Sequence, residues 1–410
     1  MAVSPYDVAV IGAGAAGMMA AAVAGQGGRS VVLVDHAERL AEKIRISGGG
    51  RCNFTNLGTT PAQFISRNPH FCRSALAAYT PDDFLRLLRR HRISWHEKHR
   101  GQLFCDVSSE SIIEMLRQEC DQGGVNWRMG CSVQGIAQDN GAFVVQTDAG
   151  QIKAANLVMA TGGLAIPQLG ATDFALRIAR QFGLKVVDPR PALVPLSFDP
   201  EHWKPFAQLS GVSLQVKVAT RPDEPRAKPM TFLEDLLFTH KGLSGPAILQ
   251  ISSYWNPGQP LTLDLCPDQD LAQQLLDQRA GNRQRLSNVL SGLWPRRLAE
   301  CWLSVERPQA GHDNDPRLAD VSNKTIAALA ERIHHWMLTP TGTAGFRKAE
   351  VMRGGVDTQG LDQKTMQAKA VPGLYFVGEA VDVTGWLGGY NFQWAWASGV
   401  ACGRALAAGI

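Results

Sequence analysis

A run of buried-strand residues, Asp7-Val-Ala-Val-Ile-Gly12, passes directly into Gly12-Ala-Gly14-Ala-Ala-Gly17 and then into the alanine-rich stretch Met18 to Ala24. An unbroken short apolar run specifies a strand covered on both faces, and glycines at this spacing let such a strand turn straight into a helix. A second apolar strand, Ser30-Val-Val-Leu-Val-Asp35, ends in an acid 23 residues after Gly12. Together these make a βαβ unit suited to a dinucleotide. Gly12 permits the tight turn, Gly14 lets the backbone approach a pyrophosphate, and Gly17 lets helix pack on strand, while the helix start at Ala15 and Ala16 faces the phosphates. Asp35 is placed to accept from a ribose hydroxyl. The plainer alternative is a tight turn that holds no ligand.

This fingerprint serves FAD and NAD alike, because both carry the same adenosine diphosphate half. The segment Lys43-Ile-Arg-Ile-Ser47-Gly48-Gly49-Gly50-Arg51-Cys52-Asn53-Phe-Thr55 places three consecutive glycines and several cations where a loop can wrap phosphate and a flavin ring. Near the other end, a strand reaches Gly378-Glu379-Ala-Val-Asp382, followed by Gly388-Gly389-Tyr-Asn391-Phe392-Gln393 and a helix from Trp394 to Ala408. Its acids suit the ribitol and pyrophosphate linker, and the amides opening the last helix suit the negative charge of a reduced flavin. Val133, Thr161 and Gly162 complete the expected cofactor contacts, the last two closing the strand Leu157-Val-Met-Ala. FAD is therefore the expected cofactor. A second dinucleotide fingerprint is missing, so NADH or NADPH is expected only as a transient reductant.

The chain has 410 residues, 45% hydrophobic and 19% charged, which suits two or three folded domains and excludes a disordered chain or a small disulfide scaffold. Eight cysteines without a CxxC pair point to reduced thiols and the cytoplasm. The uncharged run Val8 to Gly25 does not read as a membrane or signal segment, because it holds four glycines and its leader lacks Lys and Arg. No membrane association is expected. His96-Glu-Lys-His99 and His334-His335 lack a third ligand at a metal-binding spacing, so no metal is expected. Between Asp188 and Pro229 the prolines cluster as a linker. Val212, Leu214, Val216 and Val218, and then Leu261, Leu263 and Leu265, alternate with polar residues as half-buried strands. Helical patterns follow over Leu271 to Ala280, Ser287 to Leu303 and Asn323 to Leu338, broken by a polar loop from Glu306 to Asp320.

The strings SGGGRCNFTN (47–56), NPHFC (68–72), GQLFCD (101–106), LLFTHKGLSGPAILQISSYW (236–255), GGVDT (354–358) and GLYFVGEAVDVTGWLGGYNFQWAWASG (373–399) span essentially the whole chain. Through them it resembles the bacterial FAD-dependent flavoprotein family of aminoacetone oxidase and ribosomal RNA dihydrouridine synthase. Cys105 follows the proteobacterial pattern of the RNA-modifying branch, where other branches commonly carry Pro. The resemblance implies an α/β fold, a glutathione-reductase-like Rossmann-type FAD-binding domain with an inserted β-rich domain and a small helical domain. The boundaries expected are 1–190 with 345–410 for the FAD domain, 191–268 with about 325–344 for the β-rich insert, and 269–324 for the helical part. The activity implied is reduction of a uridine in 23S ribosomal RNA of the large subunit by hydride from flavin N5, driven by NADH or NADPH. The alternative is a small-molecule flavin amine oxidase or reductase of the aminoacetone oxidase type. An RNA-binding protein with a purely structural FAD is a third reading, which the helix start aimed at a reduced flavin disfavours.

An RNA substrate needs cations for its backbone and a proton donor for the carbon that does not receive hydride. Arg86, Arg89, Arg90, Arg92, Lys98 and Arg100 lie within 15 residues, the first four after the helix start Thr80-Pro-Asp-Asp, and Arg279, Arg283, Arg285, Arg296 and Arg297 form a second cluster. Each is also readable as an ordinary solvated face. Cys105, Cys52 and His240 are the candidate proton donors, because each lies inside a family string. Either thiol is equally readable as buried packing and the imidazole as a turn cap.

Overall fold

The structure, a computed structural model, describes residues 6–220, 229–306 and 315–409; the leader and most of the polar loop after Glu306 lie outside them. It divides into two compact units, Met1–Pro191 with Glu350–Ile410, and Ala192–Ala349.

The first unit is built on strand β1 (Tyr6–Ile11), helix α1 (Ala15–Gln26) and strand β2 (Val31–Val34). All four residues of β2 and the last four of β1 are buried, as central parallel strands require. β1 pairs in parallel with β2 and with β3 (Gly150–Met159), and the short strand Asn126–Arg128 extends the sheet beyond β2. The first half of β3 pairs antiparallel with Ala142–Thr147, while its last residues pair in parallel with β4 (Leu374–Phe376). Thus a strand from the far end of the sequence enters the sheet beside the nucleotide-type βαβ unit.

Helix α1 starts at Ala15, where alanine favours the helical state. It packs on α2 (Tyr390–Ala408), the last helix. That contact depends on missing side chains: a Cβ at Gly399 would lie 2.6 Å from Ala16 O, and one at Gly403 would lie 2.6 Å from Val23 Cβ. A three-stranded antiparallel sheet completes this side, in the order Asn53–Asn56, Gln102–Cys105, Trp95–His99.

The second unit holds an antiparallel seven-stranded sheet with Leu261–Asp264, Ser213–Thr220 and Met230–Thr239 as successive neighbours. Val216 and Val218 are buried and alternate with exposed Gln215 and Lys217. Phe198, Trp203 and Phe238 stack beneath it, with ring centroids 4.5 and 6.0 Å apart. Two helix readings are corrected here. The stretch Ser287 to Leu303 is two helices, Leu286–Leu290 and Arg296–Glu306. Pro295 lacks the amide a continuous helix needs, and the Trp294 indole instead donates to Leu265 O at 3.0 Å. The helix from Asn323 ends at His334, and Trp336–Leu338 pairs as a strand with Leu261–Leu263.

Candidate functional site

The three glycines after β1 are not equivalent. Gly12 has φ +111°, and a Cβ there would lie 2.5 Å from Ala160 O; a Cβ at Gly17 would lie 1.9 Å from Gly12 O. The turn itself therefore demands both. Gly14 has φ −87° and ψ −172°, which any residue adopts, and a Cβ there would meet nothing within 4 Å. Nothing in the protein itself requires glycine at 14, and its missing side chain leaves open space in front of the helix start. Helix α1 begins there without a side-chain cap and without an acid in its first turn. Its unsatisfied amides and positive dipole end face that space, as an anion-binding helix start does.

Asp35 is tied back onto the turn, with Oδ2 accepting from Ala13 N at 2.6 Å and Oδ1 from Ala37 N at 2.8 Å. It fixes the end of β2 and keeps lone pairs for a hydroxyl. Gly130 and Cys131 donate to Ala37 O and Asp35 O, which carries the strand opening at Val133 past the same end of β2.

The loop after α1 and β2 continues the opening. Gly48, Gly49 and Gly50 have φ of 57°, 66° and 83°. Gly48 is pressed against Asn53 N and Phe104, but a Cβ at Gly49 or Gly50 would meet nothing within 4 Å. Lys43 Nζ pairs with Glu379 Oε2 at 2.6 Å, and Glu379 Oε1 accepts from Met352 N at 2.8 Å. A Cβ at Gly162 would lie 3.8 Å from Glu379 Oε2, so the ends of β3 and β4 meet at this ion pair. Ser47 donates to Ile44 O at 2.7 Å.

At the start of α2, Thr55 Oγ1 donates to Gln393 Oε1 at 2.6 Å and Gln393 donates to Tyr79 O at 2.9 Å. Asn391 closes a ring with the amide and carbonyl of Gly385, and Phe392 stacks on Trp396. These side chains are thus held within the protein, and what α2 offers outward is its uncapped start after Gly389, with no acid in its first turn. Burial raises the Asp382 carboxyl above its ordinary range even though Arg67 N donates to it at 3.0 Å.

Two buried side-chain atoms here have no hydrogen-bond partner, Thr161 Oγ1 and Asn53 Oδ1. Asn53 Oδ1 would lie 2.9 Å from a Cβ on Gly389. An unsatisfied buried polar atom costs about 1–3 kcal/mol, so two in one site are strong acceptors or donors for a bound group. Open cradles at Gly14, Gly49 and Gly50, two uncapped helix starts and these orphans suit an extended dinucleotide carrying a polar ring. Asn53 was not singled out from the sequence, although it lies within the 47–56 string.

The candidate proton donors are placed differently. In the strand Gln102–Cys105, Gln102 abuts Gly388 and Phe104 abuts Gly48, so this face meets the glycine loops. Cys105, by the alternation of a strand, shares the other face with Leu103 and lines a cleft of about 280 Å³ with His91, Ser94 and Met115. Burial, then the charge of Asp106, pushes the Cys105 thiol up to about 12, so it stays protonated at neutral pH. Cys52 is fully buried at φ +49°, and burial pushes its thiol up as well, against a hydrogen bond with Ser47. His240 belongs to the second unit, exposed in the turn between Met230–Thr239 and Gly242–Ser244.

Most candidate RNA-binding arginines have local partners. Arg86 pairs with Asp83, Arg90 lies 3.6 Å from Glu119, and Arg89 sits 5.5 Å over the Trp95 ring. Arg279 bonds Asn323, Arg285 donates to Asp315 O at 2.7 Å, Arg296 pairs with Glu300 at 2.7 Å and Arg297 reaches Gln208 O at 3.5 Å. Arg283 is exposed and has no partner among the described residues. His96 and His334 each bond an aspartate, Asp106 and Asp264, at 2.8 Å. Among the described residues no cluster of three metal-ligating side chains occurs, and no helix is long and apolar enough to cross a membrane.

Comparison with known proteins adds identity to this geometry. The family described as HI0933-like protein Rossmann domain matches residues 6–405. A protein of Escherichia coli (strain K12) named ribosomal RNA dihydrouridine synthase is 46% identical over 404 residues, 98% of each chain. One of the same name from Haemophilus influenzae is 44% identical over 97% of each chain. A 3-dehydro-bile acid delta(4,6)-reductase of Clostridium scindens is 28% identical over 98% of each chain.

Proposed function

The chain belongs to the HI0933-like Rossmann family, and from that premise we propose that it is an FAD-dependent oxidoreductase that reduces a uridine of ribosomal RNA to dihydrouridine. The observation that carries the reading is the full-length identity, 46% and 44%, to two proteins named for that reaction. The cradle supports the cofactor. Gly12, Gly14 and Gly17 with Asp35 hold the adenosine end, Lys43, Glu379 and Asp382 the linker, and Thr161, Asn53 and the start of α2 the ring. When bound, the flavin supplies hydride transfer through N5.

The chain's own part is to hold charge and exclude water. The positive end of α1 stabilises pyrophosphate, and that of α2 stabilises negative charge on the ring edge. Lys43, held by Glu379 at 2.6 Å, places one cation beside the linker without adding net charge to the site. NADH or NADPH serves as the reductant in this reading, acting at the same site, since the chain carries one dinucleotide fingerprint. The target in this reading is the 23S RNA of the large subunit.

Mass spectrometry of ribosomal RNA from cells lacking the gene tests this. The added mass of two hydrogens on one uridine is lost, the wild-type gene restores it, and a Gly14→Glu gene does not. Unchanged RNA would transfer the case to a small-molecule reductase, the kind of activity named in the Clostridium relative.

A further inference from the structure

Two side-chain amides lie against the glycines that open α2. Asn53 begins the strand Asn53–Asn56, and Gln102 begins the neighbouring strand Gln102–Cys105. Asn53 Nδ2 donates to Gln102 Oε1 at 3.3 Å. With one end of its amide committed in this way, Asn53 turns the other end toward Gly389, where a Cβ would lie 2.9 Å from Oδ1. A Cβ at Gly388 would lie 2.8 Å from Gln102 Nε2. The φ angles of Gly388 and Gly389, 109° and 96°, and the closeness of these amides together exclude a side chain at either position.

The pair leaves one atom unused. Asn53 Oδ1 is buried without a hydrogen-bond partner among the described residues. An amide oxygen accepts and cannot donate, so this atom calls for an N–H or O–H. Beside it, the first amides of α2 follow Gly389 without a side-chain cap, and they donate and cannot accept. The wall of the site therefore sets donors next to a single acceptor. A cyclic imide carries the complementary edge, a carbonyl oxygen next to an N–H, and the pyrimidine half of a flavin has that edge at O2 and N3–H. An ionised phosphate lacks the donor, and a ribitol hydroxyl lacks the rigid pairing of acceptor with donor.

We infer that Asn53 Oδ1 accepts from the flavin N3–H, and that Gln102 is the positioning residue that keeps the Asn53 amide in the accepting orientation. The inference rests on the FAD part of the reading above and does not depend on RNA. Without an acceptor at Gln102 Oε1, the Asn53 amide is free to turn over and present its own hydrogens to an N–H, which repels it. Uracil carries the same imide edge, so the substrate base is the other source of this chemistry. The place of Oδ1 beside the helix start that faces the ring favours the flavin.

The test titrates FAD-free protein with FAD and with 3-methyl-FAD, in which a methyl group replaces the N3 hydrogen, and follows flavin fluorescence. Wild type is expected to bind FAD about tenfold or more tighter, and the ratio to fall within about threefold in Asn53→Ala, which removes the acceptor and makes room for the methyl. Gln102→Leu should lower the ratio as well, while Gln102→Glu, which still accepts from Asn53 Nδ2, should keep it. Equal weakening of both flavins in Gln102→Leu would reduce Gln102 to a structural role and overturn its part. Equal binding of the two flavins by wild type overturns the whole inference, and that measurement needs no variant to fold. If FAD-loaded wild type then answers uridine but not 3-methyluridine with a change in its visible spectrum, the acceptor belongs to the base. A preference for FAD that Asn53→Ala leaves unchanged also overturns the inference. Wild type that binds neither flavin removes the FAD reading, and this inference with it.

Discussion

Single residues separate what the fold needs from what a ligand needs. Gly17→Ala puts a Cβ 1.9 Å from Gly12 O, so backbone must move, and a loss of about 3 kcal/mol or more is expected in the FAD-free protein. Gly14→Ala meets nothing within 4 Å, so thermal denaturation of the FAD-free protein should shift by less than about 1 kcal/mol, the difference between glycine and alanine at a helix cap. Its effect is expected in FAD affinity, at least tenfold weaker by titration of flavin fluorescence. Equal losses of apo stability in the two variants would show that the glycine motif serves the turn alone. Cys105 is a second case. Its strand turns it from the face carrying Gln102 and Phe104, so Cys105→Ala should keep dihydrouridine formation within tenfold of wild type. Loss of a general acid costs about 10²–10⁴ in rate, and a deficit of that size would make Cys105 the proton donor. The sequence showed the glycines plainly, because backbone limits leave few other residues possible. It did not show Asn53, whose meaning comes from a buried oxygen left without a partner.

Among the elements, the helix Pro81–Arg90 shows how local rules and pH interact. Thr80 Oγ1 accepts from Asp83 N, and Asp83 Oδ2 accepts from Thr80 N and Oγ1, each at 2.7 Å. Thr80→Ala should cost about 1 kcal/mol in urea denaturation. Burial raises the Asp83 carboxyl, but the Thr80 hydrogen bonds and the Arg86 charge outweigh it and hold it below the ordinary carboxylate range. A carboxylate lowered in the folded state adds stability above its unfolded value, about pH 3.9, and loses it as pH falls through the folded value. The stability gap between wild type and Asp83→Ala should therefore be constant near neutrality and shrink below about pH 4. A gap unchanged at pH 3 would mean that the box works without its charge. This cap was legible because its residues are neighbours in sequence. The break at Trp294-Pro295 is local too, since the proline carries it although apolar periodicity runs past it, whereas the strand at Trp336–Leu338 was not legible, because only pairing with Leu261–Leu263 decides it.

For the whole molecule, every residue assigned to the dinucleotide comes from the unit Met1–Pro191 with Glu350–Ile410, although the sequence interrupts that unit by more than a third of the chain. The βαβ opening and the returning strand were readable because each carries its own glycines and apolar run. Which charged face would meet an RNA partner was not, since a solvated face and a phosphate-binding face share one composition, and the net charge of +4 favours neither. The cofactor assignment has a consequence at this scale. A ligand that binds only the folded state at a hundred times its Kd stabilises it by about 2.7 kcal/mol. Hydrogen exchange on protein stripped of FAD and then reloaded should place that gain in amides that the ligand meets or orders. Slower exchange is expected in peptides covering residues 12–17, 47–56 and 385–393, where a glycine loop or an uncapped helix start leaves amides unpaired. The strands Ser213–Thr220 and Leu261–Asp264, already paired in the other unit, should exchange at the same rate in both states. Protection confined to residues 12–17 would restrict the ligand to an adenosine diphosphate half and remove the flavin ring from the start of α2. Protection at both helix starts is the pattern that one extended dinucleotide produces.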